Sequence, residues 1–347
     1  MSRNAMAIVS SLLFAVLAAS LVLIPVPYVA RRPGQTIDVL ATTDNTPVIE
    51  VTDAPTFPTT GKLLMTTVST TRVDATLSLP EAIFVHLGAD SDAMPRDVIY
   101  PPGKSSEQVE SEAVAMMDSS RSDATVAALR AAVIPVTDMP RVQSVSLAGP
   151  SGDVLQPGDL IVSVDDQPVS SAKDVASVLG THAAGDQVIF TVLREGKEIS
   201  APVVLDASAS EPGKAVAGID VGTGYRFTPR VTFGVDPAVT GPSAGLIFAL
   251  GIYDRITDGN LIGQEVVAGT GTIDPQGKVG AIGGVREKIK GAERDGATVF
   301  LVPESNCADI GTLKTSLRLV KVGTLKDAIS ALQLINEGNT SEVPTCG

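Results

Sequence analysis

A serine and a lysine in this chain have the neighbours that nucleophilic catalysis needs. Ser243 lies among small residues in Thr240–Gly245, at the start of the apolar stretch Leu246–Tyr253. Small neighbours leave its hydroxyl open to close approach, so Ser243 is the best candidate for a nucleophile; the alternative is a helix N-cap that satisfies a free backbone N–H. Lys288 follows two glycines on a predicted helix, where a lysine is ordinarily a solvated surface charge.

Histidine is scarce in this chain, which narrows the choice of a base for Ser243. His86 and His182 both lie in earlier parts of the sequence, away from the serine. A lysine acts as a base only when burial lowers its pKa, so that the neutral amine is present near pH 7. The helix of Lys288 carries apolar residues on one face, which predicts that this face enters the core.

The two motifs together resemble the proteolytic domain of Lon proteases, from about residue 231 to residue 302. Gly241-Pro242-Ser243-Ala244-Gly245 is followed by Thr270-Gly271 and then by Ile282-Gly283-Gly284-Val285-Arg286-Glu287-Lys288. The resemblance implies that Ser243 is the nucleophile and that Lys288, at the second basic position, is the general base. It also implies a supporting role for the Thr270 hydroxyl, which would orient the amine. Gly241 and Ala244 flank the serine, and backbone N–H groups there are expected to form an oxyanion hole.

Two features depart from the Lon pattern. Lon proteases carry a Lys-Asp pair before Gly-Pro-Ser, where this chain has Val239-Thr240. A phosphate-loop motif is absent from the sequence, because Gly277-Lys278 continues with Val279, so an ATP-independent enzyme is expected. We expect no cofactor and no metal, since Cys307 and Cys346 form no CxxC pair and have no histidine nearby; a disulfide between them is an alternative outside the cytosol.

A second resemblance precedes the Lon-like part. The phrase Leu155-Gln156-Pro157-Gly158-Asp159-Leu160-Ile161, with strands before and after it and a helix at 172–179, resembles a PDZ domain of the bacterial protease kind. Such domains bind an extended peptide by strand addition. The resemblance implies a groove between the strand Val142–Leu147 and the helix Asp174–Leu179, lined by Val142, Val145, Leu147, Val175 and Leu179.

The first part of the chain predicts a membrane helix. Ala5–Ile24 is apolar and uncharged, about the twenty residues that cross a bilayer. A cleaved signal peptide is the alternative, with a weak cleavage site at Ala18-Ala19-Ser20. The net charge of -13 and the pI near 4.6 argue against a nucleic-acid partner.

These observations predict an α+β multidomain protein. Alternation predicts strands at 62–69 and Val266–Gly269, and helical spacing predicts helices at 106–133 and Val285–Asp295. The expected parts are a transmembrane anchor (1–30), a mixed β-rich region with a helix (31–132), a PDZ domain (133–206), a linker (207–214) and a Lon-type α/β proteolytic domain (215–340). The order resembles the bacterial membrane-bound PDZ–Lon proteins, the YlbL-like family, which implies a single-pass cell-membrane protein whose bulk is extracytoplasmic.

The function predicted for this order is that of a membrane-anchored serine endopeptidase. Its PDZ domain would capture peptide or protein substrates, and Lon-type domains commonly assemble as rings, which implies a homo-oligomer. The alternative is an inactive, membrane-tethered peptide-binding adaptor. A nucleotide site at the glycine-rich turns is a third interpretation, against which the missing phosphate-loop motif counts.

Overall fold

The structure is a computed structural model that describes residues 3–43, 46–88, 90–146, 148–208, 211 and 213–346. It consists of two compact units. The first combines Met1–Ile134 with Pro229–Gly347, and the second is Pro135–Thr228. The region 31–132, expected to be separate, therefore belongs to the same unit as Ser243, and the second unit is inserted within the sequence of the first.

The first unit begins with a long helix and a series of mostly short strands. Its elements up to the insertion are α1 (Arg3–Leu23), β1 (Pro25–Val26), β2 (Tyr28–Asp38), β3 (Thr42–Thr43), β4 (Thr46–Pro47), β5 (Ile49–Thr52), β6 (Lys62–Thr70), β7 (Leu77–Ser78), α2 (Leu79–Leu87), β8 (Asp92–Pro95), α3 (Arg96–Ile99) and α4 (Ser106–Ala131). Two of them match predicted elements: β6 the strand at 62–69, and α4 the helix at 106–133.

The described residues of the second unit form a β-sheet, two short paired strands and one α-helix. Its elements are β9 (Thr137–Val145), β10 (Leu160–Val164), β11 (Gln167–Pro168), α5 (Ala172–Leu179), β12 (Gln187–Arg194), β13 (Lys197–Val204), β14 (Asp206–Ala207), β15 (Ala215–Val216) and β16 (Ile219–Arg226). The main sheet has the order β13-β12-β10-β9-β16. Strands β14 and β15, at the two ends of the segment 207–214 that was expected to be a linker, pair with each other, and part of that segment lies outside the described residues.

The first unit resumes after the insertion with alternating strands and helices. These are β17 (Arg230–Phe233), α6 (Gly245–Ile256), β18 (Val266–Gly269), β19 (Thr272–Ile273), β20 (Val279–Gly280), α7 (Val285–Arg294), β21 (Val299–Pro303), the 3-10 turn Glu304–Asn306, α8 (Cys307–Ile310), β22 (Arg318–Val322) and α9 (Leu325–Asn336). The structure joins Cys307 to Cys346 by a disulfide, which ties the end of the described chain to α8.

The core of the first unit is a sheet made from both parts of its sequence. Its order is β22-β21-β18-β6-β2-β8, and β6 is parallel to β18 although the insertion separates them in sequence. Because side chains alternate between the faces of a strand, Leu64 packs with Ile289 of α7 on one face while Leu63 points toward α6 on the other. Helix α6 is apolar on all sides up to Ile252 and is almost wholly buried, as is typical of a core helix.

Candidate active site

Ser243 lies immediately before α6, in a segment that packs closely against its neighbours. The N–H of Gly271 donates to the Ser243 carbonyl oxygen at 2.9 Å, and the N–H of Leu246 donates to the Gly271 carbonyl at 3.1 Å. A Cβ on Gly245 would come within 2.9 Å of Ser120 Oγ. The glycine after Ser-Ala therefore lets helix α6 approach its surroundings at this point.

Lys288 lies one turn into α7, whose start depends on a glycine. Gly284 has a φ of 73°, and a Cβ there would lie 2.8 Å from Val68 Cγ1 and 2.9 Å from Arg31 Cδ. The helix then packs against β2 and β6, so that the Lys288 side chain is only 2% exposed. Arg286, at the first basic position of the motif, is exposed.

The serine, the lysine and Thr270 meet just beyond the end of β18. Lys288 Nζ lies 2.6 Å from Ser243 Oγ and donates to Thr270 Oγ1 at 2.9 Å. The Thr270 hydroxyl in turn donates to the Ser243 carbonyl oxygen at 3.0 Å. Thr270 is completely buried, so its hydroxyl holds the amine in one position and fixes one face of the nucleophile segment.

Burial changes the protonation of this lysine. Desolvation, followed by the positive charge of Arg31, lowers the pKa of Lys288 from 10.5 to about 7. The neutral amine is therefore well populated at neutral pH, where it can accept the proton of the Ser243 hydroxyl.

The cleft around the dyad is built from both parts of the first unit. Its volume is about 210 Å³, and strand β6 lines one side of it. Its walls include residues that the sequence analysis did not assign to the site: Met65, Thr66, Thr67, Val68 and Met117. Gly241 and Ala244 line the same cleft, as do Val239 and Thr240, the pair that departs from the Lon pattern.

Helix α4, whose Met117 lines the cleft, also holds the nucleophile segment by hydrogen bonds. Ser120 Oγ donates to the Pro242 carbonyl oxygen at 3.0 Å, and the N–H of Gly241 donates to the Ala113 carbonyl at 3.0 Å. Ser120 is 4% exposed. Apolar residues at helical spacing identify α4 as a helix in the sequence. No local signal in the sequence indicates that this helix contacts a segment more than a hundred residues away.

The residues predicted to line a peptide groove fall into different places in the second unit. Val142 is fully buried in the core, Val145, Val175 and Leu179 line a cavity of about 650 Å³, and Leu147 lies outside the described residues. Strand β9 is flanked by β10 on one side and by β16 on the other, so β16 occupies the edge at which a peptide was expected to add. The cavity is lined by α5, by β16 and by Ser144, Val145 and Ser146 at the end of β9, and it includes three of the five residues predicted to line the groove.

Comparison with known families agrees with both sets of motifs. Residues 127–205 match the PDZ domain, and residues 231–334 match the Lon protease (S16) C-terminal proteolytic domain. The chain carries a PDZ domain and a Lon-type proteolytic domain. Strand β16 lies beyond the PDZ match, and β2, β6 and most of α4 lie before either match, although the structure places them in the two units.

Individual relatives of the Lon-type domain are Lon proteases. The chain is 33% identical to Lon protease 1 of Herpetosiphon aurantiacus over 121 residues, 35% of this chain and 14% of that protein. It is 28% identical to the Lon protease of Campylobacter concisus over 151 residues, 41% of this chain and 18% of that protein. The chain thus spans less than a fifth of the length of these relatives.

Among solved structures, the PDZ domain of an SdrC-like protein from Listeria monocytogenes is similar to part of the chain. The identity is 27% and the TM-score 0.23, and the similarity covers 24% of this chain and 86% of that one.

Proposed function

We propose that this chain is a membrane-anchored, ATP-independent serine endopeptidase in which Ser243 and Lys288 form the catalytic dyad. The observation that carries the proposal is the 2.6 Å separation between Lys288 Nζ and Ser243 Oγ, at a buried amine whose pKa is lowered to about 7. A solvated lysine at the same distance would be protonated and could not accept the hydroxyl proton.

In the proposed acylation step, Ser243 Oγ attacks the carbonyl carbon of a peptide bond while Lys288 Nζ takes the hydroxyl proton. The carbonyl oxygen becomes an oxyanion, which backbone N–H groups at the start of α6 would stabilise by donating hydrogen bonds. Collapse of the intermediate breaks the C–N bond, and the Lys288 ammonium returns its proton to the leaving amine. The products of this step are an acyl-enzyme and the released amine.

In the proposed deacylation step, a water molecule takes the place of the leaving amine. Neutral Lys288 accepts a proton from the water as its oxygen attacks the ester carbon, and the proton passes back to Ser243 Oγ when the ester bond breaks. Thr270 keeps the amine aligned through both steps, because Thr270 Oγ1 accepts a hydrogen bond from Lys288 Nζ at 2.9 Å. The enzyme is thereby restored, and the acid product leaves.

The PDZ unit is proposed to capture an extended peptide along β16. Among the described strands, β16 is the outer strand of its sheet on the side of β9, and its other side faces the cavity next to α5. A peptide could pair with the outer edge of β16 beside the cavity and place alternate side chains in this largely apolar space.

The proposed groove can be tested by filling it. Ala176 of α5 is exposed and lines the cavity, whereas the neighbouring exposed Ser177 does not. We expect Ala176→Phe to weaken binding of an unfolded substrate while Ser177→Phe leaves it unchanged. Equal binding by both variants would place the peptide elsewhere.

The anchor is proposed to be α1. This helix is long and apolar enough to cross a membrane, and the protein buries none of the spanning segment; a signal sequence meets the same criteria. The disulfide between Cys307 and Cys346 supports an extracytoplasmic location for the Lon-type domain, because disulfides persist in oxidising compartments.

The activity is tested with purified full-length protein in detergent and an unfolded protein substrate. Wild type should cleave it without ATP, and Ser243→Ala and Lys288→Met should not, whereas Arg286→Met, which removes the exposed basic residue of the same motif, should retain activity. Cleavage by a pure Ser243→Ala preparation would contradict the assignment. Correct folding of all variants with no cleavage by wild type would favour a peptide-binding adaptor.

A further inference from the structure

Helix α2 exposes large apolar side chains that no described part of the protein covers. Ile83 is 50% exposed, and Phe84 and Leu87 are each 78% exposed. These three residues follow one another at helical spacing, so they form one continuous surface, which we call the outer face of α2. Soluble proteins rarely leave such a cluster in water, and a covering partner is therefore expected.

The opposite side of α2 is apolar as well and is already used. Ala82 and Val85 are buried in a small cluster with Ala30 and Leu77. The carboxylate of the helix, Glu81, is occupied at the N-terminus, where the Ser78 N–H and hydroxyl both donate to Oε2 at 2.8 Å. A helix that is apolar on both sides is ordinarily surrounded by apolar material, which here is provided on one side only.

The position of α2 identifies the partner. Helix α1 ends at Leu23, and two residues later β1 pairs with β7 in the register Pro25↔Ser78 and Val26↔Leu77. Helix α2 starts directly after β7 and contacts α1. Ser78, the residue before α2, thus lies about one strand spacing, roughly 5 Å, from Pro25, which is two residues beyond the end of α1.

The charges around α2 are compatible with a lipid surface. Arg32, which is exposed, contributes a positive charge close enough to act on Glu81. The pKa of Glu81 is lowered first by the Ser78 backbone N–H and only weakly by this arginine. An exposed apolar helix face with a basic side chain nearby is one feature of helices that lie in the headgroup region of a bilayer, although acidic Asp92 also lies beside α2, next to His86.

We propose that the outer face of α2 lies in the surface of the bilayer that α1 spans, between the headgroups and the first part of the acyl chains. The inference rests on the proposed anchoring by α1. Helix α2 then fixes the orientation of the first unit on the membrane. With α1 as its sole attachment, the first unit would be free to rotate about the connection at Ile24. The occupant of the outer face is lipid, in preference to a second copy of the chain, because the face is continuous with the span.

The absence of tryptophan from the chain allows a direct test. Full-length Phe84→Trp is reconstituted in vesicles of lipids brominated either near the carbonyl end or near the methyl end of the acyl chain, and its emission is compared with that in unbrominated vesicles. Leu13→Trp, in the middle of α1, reports insertion of the span. Gln333→Trp is the matched control, because it lies exposed on α9, which packs on β22 at the sheet edge opposite β8.

The expected result has a depth order. Emission of the Leu13→Trp protein is quenched most by bromine near the methyl end of the acyl chain. Emission of the Phe84→Trp protein is blue-shifted and is quenched most by bromine near the carbonyl end. Emission of the Gln333→Trp protein is not quenched. Quenching of the Leu13 reporter without quenching of the Phe84 reporter overturns the proposal and leaves the anchor in place. Absence of quenching for both overturns the anchor as well.

A protein partner would give a different result. If the outer face of α2 bound a second copy of the chain, the Phe84 reporter would be blue-shifted without bromine quenching, and its shift would decrease when the protein is diluted in lipid. That outcome contradicts the proposal. Protease accessibility gives an independent readout. The double variant Phe84→Ser/Leu87→Ser should increase cleavage of this region by protease in vesicles, whereas the control Ser330→Ala on α9 should not change it.

Discussion

The pH dependence of cleavage should respond to Arg31, a residue that does not belong to the dyad. Arg31 lies on β2 beside the start of α7, and its positive charge is the second cause, after burial, of the lowered pKa of Lys288. Replacing it by methionine keeps a long side chain and removes the charge. The pKa of Lys288 should then rise, and the pH at which activity reaches half its maximum should rise with it.

The size of the effect follows from the two pKa values. With a pKa of about 7, about half of the Lys288 side chains are neutral at pH 7, whereas at the ordinary value of 10.5 only about one in 3000 would be. Since burial is the larger cause, loss of Arg31 accounts for less than half of this interval, or at most about 1.7 pH units. The neutral fraction at pH 7 then falls by at most roughly thirtyfold.

The assay is kcat/KM for an unfolded substrate as a function of pH, measured for four proteins. Wild type should rise through a midpoint near 7; Arg31→Met should have a higher midpoint with the same plateau at high pH; Arg31→Lys, which retains the charge, should resemble wild type. Arg32→Met, at the neighbouring exposed position, is the control and should also resemble wild type. A wild-type midpoint in Arg31→Met, with the high-pH plateau intact, would refute the electrostatic role of Arg31.

Three further predictions concern the residues that hold the site. Ser120→Ala removes the hydrogen bond to the Pro242 carbonyl, so it should lower kcat and should lower the free energy of unfolding by about 1 kcal/mol. The control Ser119→Ala, on the exposed side of α4, should change neither quantity. Kinetics and denaturant unfolding measure the two effects. Gly284→Ala should cost more than about 1 kcal/mol, because its backbone is left-handed and a Cβ would contact Val68; a normal melting temperature and activity would show that α7 can start without glycine. Replacing Cys307 and Cys346 by serine opens a loop defined by a separation of 39 residues, for which chain entropy predicts a loss of up to about 4 kcal/mol; an unchanged unfolding midpoint in urea, with and without reductant, would contradict it.

The helices and strands that carry the dyad could be predicted from the sequence, because glycine positions and the spacing of apolar residues within each segment indicate them. Helix α7 begins at the predicted residue, Val285, and strand β18 has the predicted bounds, Val266–Gly269. The pairing of Ser243 with Lys288 was predicted from the resemblance of the two motifs to the Lon proteolytic domain, together with the scarcity of histidine. The burial of Lys288 was not predicted, because its position in the helix is beside the apolar face and not on it.

The long-range parts of the site could not be predicted in this way. Strand β6 was predicted as a strand, but its parallel pairing with β18 joins residues about 200 positions apart, and alternation along a strand does not identify its partner. For the same reason, the hydrogen bond from Ser120 to Pro242 gave no signal in the sequence. The insertion of the PDZ unit conceals these relations, because it separates α4 from the nucleophile segment that the helix supports.

The groove of the PDZ unit shows a related effect. The predicted helix at 172–179 agrees with α5, and the strand predicted at Val142–Leu147 overlaps β9, which starts five residues earlier. Strand β16, from beyond the expected domain end at 206, pairs with the edge of β9 at which a peptide was expected to add. Its alternation is weak, since Gly222 and Gly224 interrupt it, and a Cβ at either position would meet the side chain of Gln143 or Arg141 on β9. Those glycines therefore permit the strand to lie there and at the same time hide it from a pattern search.

The central claim, that Ser243 is a nucleophile activated by Lys288, is tested most directly by covalent labelling. Wild-type protein is treated at pH 8 with a fluorophosphonate probe, and the modified peptide is identified by mass spectrometry, in parallel with Lys288→Met and Arg286→Met. Because the pKa of Lys288 is about 7, the amine is mostly neutral at this pH. We predict a single adduct on Ser243 in wild type and in Arg286→Met, and none in Lys288→Met. Labelling of Ser243 that is equally fast in Lys288→Met, or labelling of another serine, would contradict the dyad.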